Sequence, residues 1–356
     1  MTPYDSLPPQ SFWKASAASE SEAGVDFDSG RKFVFSATDK FATSGSCFAQ
    51  HLATQLARRG ASVLVAEGRH PLVPEAREHG FGVFSARFGN VYTARHLREL
   101  LEQATQARAM IAEFVQRADG RWVDMLRPRA VPMGFESSEH ALADRRYHLH
   151  AVGQMLREMG VFVFTLGLTE AWENVRQGYC YPIVPGAVAG EFSPQQHRFV
   201  NYGFGEVVAD LRAVVAMVAG VNPRARILLT VSPVGLVATR EPRNVMVSTG
   251  ASKGILRAAA DELARLYTHV DYFPSYEIVA GPYARGRYWA EGCREVTAAG
   301  VDIVMDVFMR SRLQQLATNA APPAAPSDDG AENRLLAAAD AECDEQYLDP
   351  SLRRRP

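Results

Sequence analysis

From about residue 39 onward, short and nearly uninterrupted apolar runs alternate with longer amphipathic stretches. Phe41 to Ser44 reads as the end of a strand, and Phe48 to Arg59 as a helix stopped by Gly60. Ser62 to Ala66 is a second strand candidate. Thr93 to Ala107 reads as a helix with Thr93 as its N-cap. Residues 108–136 show no clear period and read as chain wrapping the surface. A helix starts at Ser137 or Ser138 and runs to about Met159. Next comes Val161-Phe162-Val163-Phe164-Thr165-Leu166, the unbroken pattern of a strand buried on both faces. Residues 176–201, rich in Gly, Pro and aromatics, read as a long ordered loop of the kind that carries function. A helix over Phe204–Val221, a strand over Arg226–Val231, a helix over Thr249–Tyr267 and a strand over Val270–Phe273 follow. The last helix spans Thr297 to about Leu316. Strands joined by helices of this length form βαβ units, so the pattern predicts an α/β fold. Its parallel sheet should hold five strands, with helices on both faces.

The flanks read differently. Residues 1–38 mix Pro, Ser and acidic positions around Phe12-Trp13, which predicts an irregular arm that lays those aromatics on the domain. Beyond residue 316 stand an Ala-Pro-Pro-Ala-Ala-Pro linker and an acidic, Ala-rich stretch with a marginal helix near Glu332–Cys343. The chain thus divides into an arm (1–38), one α/β domain (39–316) and a linker with an acidic tail (317–356).

Composition narrows the function classes. At 47% apolar and 22% charged residues, a chain of 356 residues buries a core without metals or disulfides. A net charge of −2 supplies no field for nucleic acid or an anionic membrane surface. No apolar stretch reaches the roughly 18 residues a membrane span needs. Met1 to Glu20 lacks the basic and apolar regions of a secretory signal. Cys47, Cys180, Cys293 and Cys343 show neither a Cys-x-x-Cys pair nor zinc spacing. These features predict a cytoplasmic protein with reduced thiols, no cofactor and no metal.

In an open parallel sheet, ligands gather beyond the carboxyl ends of the strands. That rule selects Gly45-Ser46-Cys47, Gly167-Leu168-Thr169-Glu170, Ser232-Pro233-Val234 and Ser275-Tyr276-Glu277, and it argues against His269 at the opposite edge. Ser46 sits where a strand gives way to a helix, so its hydroxyl faces the crevice and the N–H groups behind it can hold a developing oxyanion. The plainer reading is a serine that caps the helix. Cys47 at a helix N-terminus is open to activation, although inward packing is the expectation. Glu170, Ser232 and Glu277 are candidate substrate-binding groups, with structural ion pairing as the alternative for the two acids. Lys253 opens a helix facing the same crevice. Trp172, Tyr179, Tyr181 and Tyr202 suit either sugar stacking or core packing. His140, His148, His150 and His197 have no assigned role.

Thr43-Ser44-Gly45-Ser46-Cys47-Phe48-Ala49 spells the signature for which the GSCFA family is named. Further segments resemble that family: Phe88-Gly89-Asn90-Val91-Tyr92-Thr93, Thr165 through Trp172, Thr230-Val231-Ser232-Pro233-Val234 and Tyr272 through Glu277. The resemblance runs from about Phe12 to Phe308. The family is related to the SGNH, or GDSL-type, hydrolases, which implies a flavodoxin-like sheet and an esterase or acyltransferase acting on glycans or lipids. By this resemblance Ser46 corresponds to the nucleophile, with the N–H groups of Ser46 and Gly89 lining the oxyanion hole. Thr169 stands where those enzymes carry an asparagine, and the resemblance implies that its hydroxyl joins the two N–H groups in the oxyanion hole. Their Asp-x-x-His, which supplies the base and its orienter, is replaced by Gly292 and Glu295. No Asp-x-x-His occurs in the chain, and no histidine follows His269. Glu295 is therefore the candidate base by position alone. Two functions follow as expectations. One is acyl transfer or ester hydrolysis on a carbohydrate or cell-surface precursor, with an acyl donor. The other is a catalytically silent binding protein that keeps the crevice.

Overall fold

The computed structural model describes residues 2–17, 25–68, 81–82, 84–314 and 344–349, the side chain of Cys47 excepted. In chain order the elements are helix α1 (Trp13–Ala17), strand β1 (Phe41–Gly45), helices α2 (Cys47–Arg58) and α3 (Ala94–Ala104), and the antiparallel strands β2 (Phe114–Gln116) and β3 (Trp122–Asp124). Helix α4 (Ser138–Glu158) leads to β4 (Val161–Leu166), β5 (Glu170–Asn174), β6 (Tyr179–Tyr181) and β7 (His197–Asn201). Then come α5 (Phe204–Val221), β8 (Arg226–Val231), α6 (Val245–Leu266), β9 (Val270–Tyr272), α7 (Ser275–Ala280) and α8 (Ala298–Arg312).

A parallel sheet of four strands, in the order β1-β4-β8-β9, forms the centre. Alternation along β4 explains its two faces. Phe162, Phe164 and Leu166 enter the core built with α3 to α6, whereas Val161 and Val163 enter the core built with α2 and α8. Each fully buried Val, Leu or Phe contributes about 1.5–3 kcal/mol. Helices on both faces of a parallel sheet make this a flavodoxin-like α/β architecture.

The fifth expected strand, Ser62–Ala66, does not form. It is reduced to one parallel bridge between Val63 and Phe41. Competition for the β1 edge is the reason: the Thr43 N–H donates to the Ser85 hydroxyl at 3.0 Å, and the chain leaves β1 so that the Ala66 N–H reaches the Ser85 carbonyl.

Residues 176–201 are not one long loop. β6 and β7 flank β5 in a three-stranded antiparallel sheet, with the β5–β6 turn closed at Gly178 (φ +63°). Phe12 and Trp13 are not laid on the domain; Trp13 is 77% exposed. A later part of the arm is anchored instead. Phe35 is fully buried, and Asp28 holds the buried Arg312 guanidinium through two bonds of 2.5 and 2.6 Å. The helix expected near 332–343 lies outside the described residues. Among those described, no helix is long and apolar enough to cross a membrane.

Candidate functional site

β1 delivers Ser46 to the carboxyl edge of the sheet, and Gly45 makes that delivery possible. Gly45 has φ +144°, and a Cβ there would stand 2.5 Å from the Thr165 carbonyl oxygen, so no larger residue fits against β4. Ser46 occupies the N-cap position of α2 in an extended conformation, yet its side chain makes no capping bond. Its Oγ is buried and has no hydrogen-bond partner among the described residues. Capping therefore does not account for it. Thr93, Ser137 and Thr297 do cap, accepting from the N–H groups of His96, His140 and Gly300.

Two loops wall the crevice. The Val91 N–H donates to the Gly45 carbonyl at 2.8 Å, and the Tyr92 carbonyl accepts from Gly167 and Leu168 at 3.0 and 3.2 Å. A Cβ on Gly167 would come within 3.4 Å of the Ser46 Cβ. The 89–92 loop, the Gly167–Thr169 loop and Ser46 are thus one contiguous surface, and Gly89 enters its loop with φ +71°. Helix α6 supports this wall from behind: the Ser252 hydroxyl accepts from the Thr169 N–H, and the buried Lys253 ammonium donates to the Gly167 carbonyl at 2.6 Å. One turn past Ser46, the Gln50 amide donates to Asn90 Oδ1 at 3.0 Å.

The other candidates are occupied or turned away. The Thr169 hydroxyl donates to Asn201 Oδ1 at 2.7 Å, and the Asn201 amide orientation is fixed by its bond to Glu241, so the one Thr169 proton is already committed. Glu170 accepts from the Thr239 hydroxyl and the Arg240 N–H. Ser232 Oγ accepts from the Val234 N–H in its own turn. Glu277 pairs with Arg257 and the Tyr272 hydroxyl at the β9 edge, three strand spacings or ~14 Å from β1. Gly292 (φ +94°) and Cys293 (φ +55°) reverse the chain just before Glu295. The Glu295 side chain is 76% exposed and lies 3.8 Å from the Arg294 guanidinium. Arg294 is the residue that turns inward, donating to the Gly235 carbonyl at 3.0 Å.

No histidine is bonded to Ser46 among the described residues. His148 is fully buried, with Nδ1 2.7 Å from Glu67. It belongs to a buried charge network with Arg87, Arg127, Asp124, Asp144 and Arg145. Burial and the nearby Arg127 push the His148 pKa down to about 4, while burial and Arg145 push His96 to about 3. Burial works against ionised Glu67, but His148, Arg87 and Arg127 outweigh it and hold the carboxyl well below the usual range. Both histidines are neutral packing groups. Cys180, fully buried with Glu99 nearby, has its thiol pushed up to about 12 and is inert. Among the described residues, no three His, Cys, Asp or Glu side chains cluster closely enough to hold a metal ion.

One component of the site carries no signal in the sequence. The 3-10 turn Asp344–Leu348 lies against the 89–92 loop, where the Asn90 amide donates to Asp344 Oδ2 at 3.0 Å and the Asp344 N–H donates to the Tyr92 hydroxyl at 2.9 Å. Beside it a cavity of about 200 Å³ remains, lined by Leu168, Trp172, Tyr181 and Leu236 together with Glu345 and Leu348. A larger open cavity of about 470 Å³ between α3 and α4 contains none of the residues discussed above for the crevice.

The family described as GSCFA family matches this chain over residues 40–308, well over half its length and the whole of the central sheet. No match is found among curated proteins.

Proposed function

The chain belongs to the GSCFA family, and we propose that this member is a binding protein whose crevice at Ser46 holds a ligand without turning it over. The single observation that carries the proposal is the isolation of the Ser46 hydroxyl. It is buried without a partner among the described residues, and the acid standing in the histidine register, Glu295, points to solvent. A serine attacks an acyl carbon only when a base within hydrogen-bond reach takes its proton. The polar rim supplied by Asn90, Tyr92 and Arg294 suits recognition instead. The sequence features support a cytoplasmic setting for this activity.

A second reading has its own support. An SGNH-like esterase or acyltransferase also needs a serine at this strand end, with backbone N–H groups of the α2 N-terminus beside it. On this reading a base brought in by a substrate or donor supplies the partner that the buried Oγ lacks. A fluorophosphonate probe separates the two. A binder leaves Ser46 unlabelled, and wild type hydrolyses simple acetyl esters no faster than Ser46→Ala. Stoichiometric labelling of wild type that disappears in Ser46→Ala sinks the binding proposal and establishes the nucleophile. The Ser46→Ala protein should melt within about 1 °C of wild type, since no cap is lost.

A further inference from the structure

The turn Asp344–Leu348 is held in the crevice by groups that recognise acids and an aromatic ring. Asp344 and Glu345 are both buried, which is costly for carboxylates without partners. Asp344 has the Asn90 amide at 3.0 Å and the Arg129 guanidinium at 3.8 Å. Glu345 has the Arg294 guanidinium at 3.4 Å. Arg129 also donates to the Tyr347 hydroxyl at 2.7 Å and lies 4.9 Å over its ring, a cation–π contact. Leu348 reaches the aromatic-lined cavity beside Leu168 and Trp172. The receiving groups come from four separate places in the chain: residues 90–92, 129, 168–172 and 294.

From this arrangement we infer that the crevice is a recognition site for an acidic peptide segment carrying two adjacent carboxylates and a following tyrosine. The chain fills that site in cis with its own Asp344–Leu348. The inference rests on the binding reading and names its ligand class. Five residues with one ring and one aliphatic side chain bury little apolar surface, so their intrinsic affinity is modest. Covalent attachment offsets this, because a tethered segment meets its site at an effective concentration in the millimolar range. A ligand in trans must displace the segment.

The test uses the full chain and a fluorescein-labelled peptide with the sequence of residues 344–349, followed by anisotropy. Asp344→Lys with Glu345→Lys detaches the segment by setting like charges against Arg129 and Arg294. This double variant should bind the peptide at least roughly tenfold more tightly than wild type, whose site is already filled. Adding Arg294→Glu should remove that binding, and a peptide carrying Glu345→Arg should recover it. Equal affinity for wild type and the double variant overturns the inference, as does binding indifferent to Arg294→Glu. Circular dichroism of each variant shows that the domain is intact, and a variant that is not intact is replaced by Glu345→Lys alone. The readout is independent of serine chemistry. If Ser46 takes the fluorophosphonate while the peptide behaves as stated, the binding reading fails and the acidic-segment site stands.

Discussion

At the scale of single residues, the crevice depends on positions where a side chain is absent as much as on those where one is present. Gly45 carries β1 past Thr165 with φ +144° and no room for a methyl group. Gly167 lets the loop after β4 close over Ser46, with Tyr92 on its other side. Gly45→Ala must move the Thr165 backbone or twist the turn into a conformation L-residues avoid. The expected cost is about 2–3 kcal/mol, read as a lower denaturant midpoint at unchanged slope. A loss under half a kcal/mol would show that the β1–β4 contact is loose and that Ser46 is not rigidly placed. Ser46 itself is the counter-case. Its hydroxyl gives up the cap bond that the N-cap side chains of α3, α4, α6 and α8 make.

At the scale of elements, the segment 25–35 is tied to the core by Arg312 together with the buried Phe35 and the bonds of Lys32 to Asp271 and to the carbonyls of Tyr267 and Val270. Arg312 is fully buried at the end of α8, bonding Asp28, Asp271 and the carbonyls of Phe33 and Tyr272. Arg312→Met keeps much of the volume but strands two carboxylates, which costs about 3–5 kcal/mol. Proteolysis near residues 25–35 should accelerate in parallel, and a variant as resistant as wild type would mean that Phe35 and Lys32 suffice to anchor the segment. Nothing in the local pattern announced this, because Asp28 and Arg312 meet across 284 positions. Legibility follows the same rule elsewhere. β4 and β8 could be read from sequence because strands covered on both faces contain almost no polar positions. The helices α3, α4 and α8 could be read from their caps. β5, β6 and β7 were hidden because strands of three to five residues with mixed polarity show no period, although Gly178 and the aromatic pairs around it mark a hairpin. Ser46 was legible as the end of a strand. The inward turn of Arg294 and the docking of Asp344 were not, since each is decided by contacts made far along the chain.

At the scale of the whole molecule, buried ionisable groups around α3 and α4 set a pH dependence whose sign is fixed by their neighbours. His148 and His96 titrate at about 4 and 3 in the folded chain, against 6.5 when unfolded. A base with a depressed pKa binds its proton in the unfolded state first. Its stabilising contribution is full above pH 6.5 and is lost as pH falls toward the folded value. Glu99 acts oppositely. Burial, only partly offset by the Cys180 N–H and Arg108, raises its carboxyl to about 7 from 4.5. Its contribution is full below pH 4.5 and disappears as pH rises through 7. Between pH 6 and 4.5 the two histidines make the unfolded chain bind about two more protons, and Glu99 returns about one to the folded chain. The two histidines outweigh Glu99 in this range, so stability should fall on acidification. Glu99→Gln keeps an acceptor for the Cys180 N–H but removes the opposing titration, so the loss of stability on acidification should steepen. Denaturant unfolding of both proteins from pH 7 to 4.5 measures this directly. Stability that is flat or rises on acidification in wild type, or a slope unchanged by Glu99→Gln, would mean that water reaches these side chains and that the network is not closed around them.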